Sequence, residues 1–230
     1  CSLREAVLAA NESPGADTID LPAGAYVVQR AGTGEDAGLR GDIDIDGNVT
    51  MRGAGADVTE VDGRQIERVF EVRPDVSTKI SGLTVTGGAT YGVPGGPVAD
   101  GGGILNRGDL TLDAVVIAGN SAGRAAYGGG IHNATTLTLR NSTVEGNTAA
   151  FDGGGIYNAS VIAVSNSTIT GNEVQLGRGG GLVSASTASL NNVTIYLNTA
   201  GAPASDSVAN LVNGSTGTMS IANSIVAGAG

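Results

Sequence analysis

The chain has 230 residues, a net charge of −10, only 3% aromatic residues and no Trp. An acidic chain of this kind is a poor fit to nucleic acid or to an anionic membrane surface. No stretch of 18 apolar residues exists, so this segment carries no membrane insertion by a helix.

The chain opens with Ser2-Leu3-Arg4-Glu5, a capping box followed by Ala6-Val7-Leu8-Ala9-Ala10. A short helix over residues 2–11 is expected, with Leu3, Val7 and Ala10 on one face. Its simplest task is to plug the first unit of the strand-rich remainder, covering edges that would otherwise recruit other chains. Cys1 is the sole cysteine and reads as a cap thiol whose disulfide partner lies upstream, as a lipidated N-terminal Cys of a lipoprotein, or as an inert terminal residue.

Residues 17–100 contain short alternating apolar runs between long excursions. Ile19, Leu21, Tyr26 and Val28 supply one unit, and Ile43, Ile45, Val49, Met51, Val58 and Val61 another. Asp42, Asp44 and Asp46 alternate with Ile43 and Ile45, which places the three carboxylates on the outward face. Such a face is polar by default and open to solvent. Three carboxylates on it are also the chain's candidate Ca²⁺ ligands, with Arg40, Arg52, Arg64 and Arg68 near in sequence. No other cofactor is indicated.

From residue 101 to 230 the chain repeats. Gly101-Gly102-Gly103-Ile104-Leu105-Asn106 returns at Gly128–Asn133 and Gly153–Asn158, then in weaker form at Gly179–Ser184 and Ala209–Asn213. The anchors Ile104, Ile131, Ile156, Leu182 and Leu211 are 27, 25, 26 and 29 residues apart. This period marks a solenoid, in which no unit can bury its apolar face alone. Each unit holds three runs of period-2 alternation, broken by Gly and by Asn141, Asn166, Asn191-Asn192 or Asn223. The expected fold is therefore all-β: a parallel β-helix with three strands per coil, about eight coils and a short N-terminal capping α-helix. Parallel crossovers are nearly always right-handed, so the coil is expected to be right-handed. The whole chain reads as one domain, and as a fragment of a longer protein.

Stacking aligns like residues. Asn106, Asn133, Asn158 and Asn213 form one expected ladder; Asn120, Asn147, Asn172 and Asn198 form a second. The outward position between each anchor and its Asn gives a column of Leu105, His132, Tyr157, Val183 and Val212. This column is a candidate ligand-binding stripe, or simply a surface packed under a loop. His132 has no neighbouring carboxylate column in this register. The segments Ser121–Tyr127, Thr148–Asp152, Glu173–Arg178 and Thr199–Ser207 vary between repeats and leave one edge of the rod, so recognition is expected there first.

Cys1-Ser2-Leu3-Arg4-Glu5-Ala6, Asn11, Ile19–Tyr26, Gly41–Ile45 and Arg52–Asp57 together resemble the bacterial CSLREA-domain proteins. The Gly-Gly-Gly-Ile repeats are similar to those of polymorphic outer-membrane proteins and other right-handed β-helix surface proteins of the pectate-lyase-like class. The resemblance implies an exported protein at the bacterial cell surface and carries no catalytic motif. The expected role is a non-catalytic adhesin, stalk or fibre building block. Its partner would be a polysaccharide, a host or neighbouring cell surface, or a second copy stacked end to end. The alternative is a polysaccharide lyase or hydrolase, although the Asp-Asp and Asn-Thr-Asp pairs of pectin hydrolases are missing.

Overall fold

A computed structural model describes residues 2–28, 39–91, 100–201 and 209–228. Cys1, most of the excursions Gln29–Gly41 and Gly87–Gly101, and most of Thr199–Ser207 lie outside the described residues.

The fold is a parallel β-solenoid capped by one helix. Every strand pairing joins a strand to its counterpart in the next coil, in parallel and in register. Three sheets result. The largest has fourteen strands and holds two lines, one through Asp109–Asp113 and Thr136–Arg140, the other through Val116–Ala118 and Thr143–Glu145. The second has seven strands, from Ile43–Ile45 to Leu211–Asn213. Seven ranks are linked by six turns, so the solenoid makes about six turns where the periodicity predicted about eight coils.

The strand count per coil also differs from three. The coil from Ile104 to Ala122 has four: Ile104–Asn106, Asp109–Asp113, Val116–Ala118 and Ser121–Ala122. The two-residue strands Ala89–Thr90, Ser121–Ala122, Thr148–Ala149, Glu173–Val174 and Thr199–Ala200 form the third sheet. They lie at the start of segments that read as loops. Two such residues are too short to show an alternating pattern, so only their stacking identifies them.

Interior columns form one aliphatic core, including Ile104, Ile131, Ile156 and Leu182, all at 0% exposure. Val58, expected among these, is exposed instead. A second, small apolar cluster of Ala122, Ala126, Ala149 and Val174 lies apart from the main core and anchors the third sheet and its loops.

The glycine triplets are corners that only glycine can make. Gly128 has φ +70°, and a Cβ on it would strike the Ile131 carbonyl. A Cβ on Gly129 would strike the carbonyls of Gly154 and Thr148 in the neighbouring strands. This close approach lets the Gly129 amide donate to Gly153 O at 3.1 Å and the Gly130 amide to Gly154 O at 3.2 Å.

Asparagine side chains answer the buried polar groups at the corners. Asn106 donates to Asn133, and Asn133 to Asn158, each at 2.7 Å. Ser184 takes the next place, accepting from Asn158 at 2.9 Å, while Asn213 is exposed and donates to Gly217 O. The second ladder runs Asn120, Asn147, Asn172, Asn198 at 2.9–3.0 Å per step. It ends on Asn210, which accepts from both the amide and the side chain of Asn198. A third, exposed ladder sits at the turns, where Asn141, Asn166 and Asn192 adopt φ near +50° and bond side chain to side chain.

The cap helix, Leu3–Glu12, has its box closed: the Ser2 amide donates to Glu5 Oε2 at 2.7 Å, and the Glu5 amide to Ser2 Oγ at 3.3 Å. Leu3, Val7 and Ala10 are buried. Asn11 pins the helix end, donating to Asp44 O and accepting from the amides of Asp46 and Gly47. Arg4 donates to the carbonyls of Gly41 and Asp42.

The buried ladder carries much of the stability. Asn147 is fully buried, accepts two hydrogen bonds from Asn120 and donates to Ile117 O and Asn172. Asn147→Ala should cost about 3–5 kcal/mol, because several buried partners are orphaned at about 1–3 kcal/mol each. Asn213→Ala should stay within about 0.5 kcal/mol. Urea denaturation measures both, and equal losses would refute this ranking.

Candidate functional site

The outward column of the second sheet is longer than the repeat suggested. Register continues from Val212 through Val183, Tyr157, His132 and Leu105 to Glu71 and Asp44. Asp44, one of the candidate metal residues, thus shares one column with the candidate stripe. Most of it is covered: Asp44 is 1% exposed, Glu71 5%, Leu105 4%, His132 9% and Val183 4%.

At the first two ranks the column is ionic. Asp42 and Asp44 are buried, which corrects the expectation of a solvated outward face; Asp46 alone is exposed. Carboxylate oxygens of Asp42, Asp44 and Glu71 lie within 4.8 Å of one another. Sequence reading missed Glu71, since Phe70-Glu71-Val72 lacks the glycine triplet that marks later ranks. Its signal was its place one coil after Asp44 in the alternating apolar pattern.

Arginines neutralise this cluster. Arg68 Nη1 donates to Asp42 Oδ2 at 2.7 Å and to Glu71 Oε2 at 2.8 Å. Arg73 and Arg107 reach the other Glu71 oxygen at 2.8 and 3.0 Å. Asp46 faces Arg73 at 3.5 Å. Asp42 and Glu71 meet three guanidinium groups, and Arg68 bridges the two carboxylates. A Ca²⁺ ion held by Asp42, Asp44 and Glu71 would compete with Arg68 for two of its three ligands. Among the described residues, only Arg68 of the four arginines near in sequence joins; Arg52 and Arg64 face Asp20 and Asp62.

Burial pushes the Asp42 carboxyl above its ordinary range, against the opposing pull of Arg68. Burial also raises the half-buried Glu67, and the charge of Asp42 adds to that rise.

Further along, the column turns aromatic. Tyr157 sits 5.3 Å from the His132 ring, edge to face, and 4.8 Å from Tyr127. Phe151 is 6.0 Å beyond Tyr127. Tyr127 and Phe151 belong to the variable segments, so those segments and the stripe meet here. His132 does have a carboxylate neighbour, contrary to the expectation from register: Asp100 Oδ2 is 3.0 Å from Nδ1. The pair is close but not aligned, and Nδ1 makes no hydrogen bond. Asp100 was hidden because it enters from the long excursion and not from a neighbouring coil. Its Oδ1 accepts from the Tyr127 amide at 2.8 Å.

Among the described residues no helix is long and apolar enough to cross a membrane. Neither a family model, nor a curated protein, nor a solved structure matches this chain.

Arg68→Met leaves two buried carboxylates without their shared partner and should cost about 3–5 kcal/mol in chemical denaturation. The raised carboxyls also set a pH dependence. A folded chain whose Asp42 and Glu67 hold protons that the unfolded chain has released gains stability at low pH. That gain is whole below about pH 4 and is lost as pH rises through the folded values. Glu67→Gln should therefore lose less stability than the parent chain between about pH 4 and 7; parallel stability curves would count against this coupling.

Proposed function

We propose that this chain is a non-catalytic extracellular module at the bacterial cell surface, acting as an adhesin, stalk or fibre building block. The observation that carries the reading is the fate of the buried carboxylates. Asp42 and Glu71 are engaged by Arg68, and Glu71 also by Arg73 and Arg107. Glycoside cleavage needs one carboxyl free to give a proton and another free to attack or to activate water, both facing the sugar. A guanidinium-locked pair at 7% and 5% exposure offers neither.

The alternative, a polysaccharide lyase or hydrolase, draws on one observation: the raised carboxyls of Asp42 and Glu67 suit a general acid. Asp42, however, faces Arg68 across 2.7 Å and not an open cleft.

The resemblance to CSLREA-domain and right-handed β-helix surface proteins adds support. Five signature positions have a capping task here: Ser2 and Glu5 close the box, Leu3 is buried, Arg4 holds the 41–42 carbonyls and Asn11 pins the helix end.

Incubation with plant, algal and bacterial polysaccharides, with and without Ca²⁺, should leave polymer length unchanged in size-exclusion chromatography. A shortened polymer would overturn the non-catalytic reading.

A further inference from the structure

We propose that the aromatic cluster of Tyr127, Phe151 and Tyr157, with Asp100 and Asp152 beside it, is a binding site for a neutral glycan. The proposal rests on the surface-module reading and names the class of its partner.

The chain has seven aromatic residues, five Tyr and two Phe, and three of them gather here. The core does not require them. It is aliphatic, and Phe70 is the one aromatic among its buried residues. The three rings are half-buried, each with part of its surface open. Sugars bind by laying their C–H faces on such rings while their hydroxyls take fixed polar groups.

Those polar groups are present and have capacity left. The Tyr127 and Tyr157 hydroxyls make no hydrogen bond among the described residues. Asp100 uses Oδ1 on the Tyr127 amide and keeps Oδ2 near His132. Asp152 uses Oδ1 on the Arg178 amide at 2.7 Å and keeps Oδ2. A carboxylate that accepts from a sugar hydroxyl makes one of the stronger hydrogen bonds available to a neutral ligand. Burial raises the Tyr157 phenol, and Tyr127, Asp152 and Asp100 raise it further, so it remains a donor.

The platform is also held in place. The Gly101 amide donates to Tyr127 O, the Phe151 amide to Ala126 O and the Gly128 amide to Asp152 O. Ala126, next to Tyr127, is fully buried in the small second core. Preorganised rings lose little freedom on binding.

Charge selects among glycans. Asp100 and Asp152 flank the rings, and the chain carries −10 overall. A polyuronate brings a carboxylate on each sugar and is repelled. A neutral polymer is not.

Affinity electrophoresis of the 230-residue chain through gels holding galactomannan, mixed-linkage β-glucan, dextran or polygalacturonate tests this. At least one neutral polymer should retard the chain, and polygalacturonate should not. Tyr157→Ala should weaken that retardation about ten-fold or more, in keeping with the loss of a central aromatic contact. Asp100→Asn preserves shape and the acceptor to Tyr127, and should weaken binding even where Tyr157→Ala disturbs the fold; circular dichroism reports the fold of each. Tyr196→Ala, on the largest sheet, should bind as the parent does. No retardation by any neutral polymer, undiminished retardation in Asp100→Asn, or stronger binding of polygalacturonate would overturn the proposal. Those results with intact polymers would leave the non-catalytic reading standing, whereas polymer cleavage would remove that reading itself.

Discussion

Each regular coil buries corner amides and carbonyls that strand pairing cannot reach, and the stacked asparagines are what satisfy them. One side chain supplies both an acceptor and a two-proton donor, so each Asn can serve its own corner and the rank before it. Asn172 shows the full pattern. It accepts from the Asn147 amide and side chain, and donates to Val144 O, Thr170 O and Asn198. The ladder therefore fixes the register of coils as well as their spacing, because a one-residue slip would break every step together. The glycine triplets depend on the same constraint: Gly103, Gly130 and Gly155 pack directly on the side chains of Asn120, Asn147 and Asn172.

The arginine–carboxylate cluster does for the first coils what the ladders do for the later ones. Residues 43–45 and 70–72 pair in register, yet their corners lack the Asn that ends later ranks. Arg68 instead ties Asp42 to Glu71 and also donates to the carbonyls of Asp100 and Gly101. Arg4 reaches the neighbouring carbonyls from the cap. Burying these charges carries a large desolvation penalty, and a well-packed apolar substitute could be equally stable. What the cluster supplies is direction: guanidinium forks accept only certain geometries, so the helix, the irregular coils and the first regular coil are set relative to one another.

Much of this was legible because a solenoid writes its geometry as a period. Ile104, Ile131 and Ile156 named the interior column, and the Asn after each named a ladder. Legibility failed where the period broke. Asn210 ends the second ladder only twelve residues after Asn198, too near to read as the next rank. Ser184 fills an Asn place with a hydroxyl, and Glu71 fills a stripe place without its glycines. The rule that outward residues are solvated failed at Asp44, since burial of an outward face depends on what folds over it and not on strand alternation. Asp100 failed for the same reason, arriving through a long connection whose course no local pattern encodes.

The aromatic site follows from the solenoid's own limits. A regular coil can present only straight columns at the strand spacing of about 4.8 Å, and columns alone make a repetitive surface with little selectivity. Selectivity requires that the repeat be interrupted at a defined place. Here Tyr127 and Phe151 leave the coil just after the third sheet, whose Ala122, Ala149 and Val174 form a core of their own with Ala126. That small core lets the segments depart without loosening the ladders, because Asn120 and Asn147 lie before them in the chain and are buried at 1% and 0%. The stack and the proposed recognition site thereby fall on different parts of the same coil: the asparagine corner holds the stack, and the segment after it is free to vary.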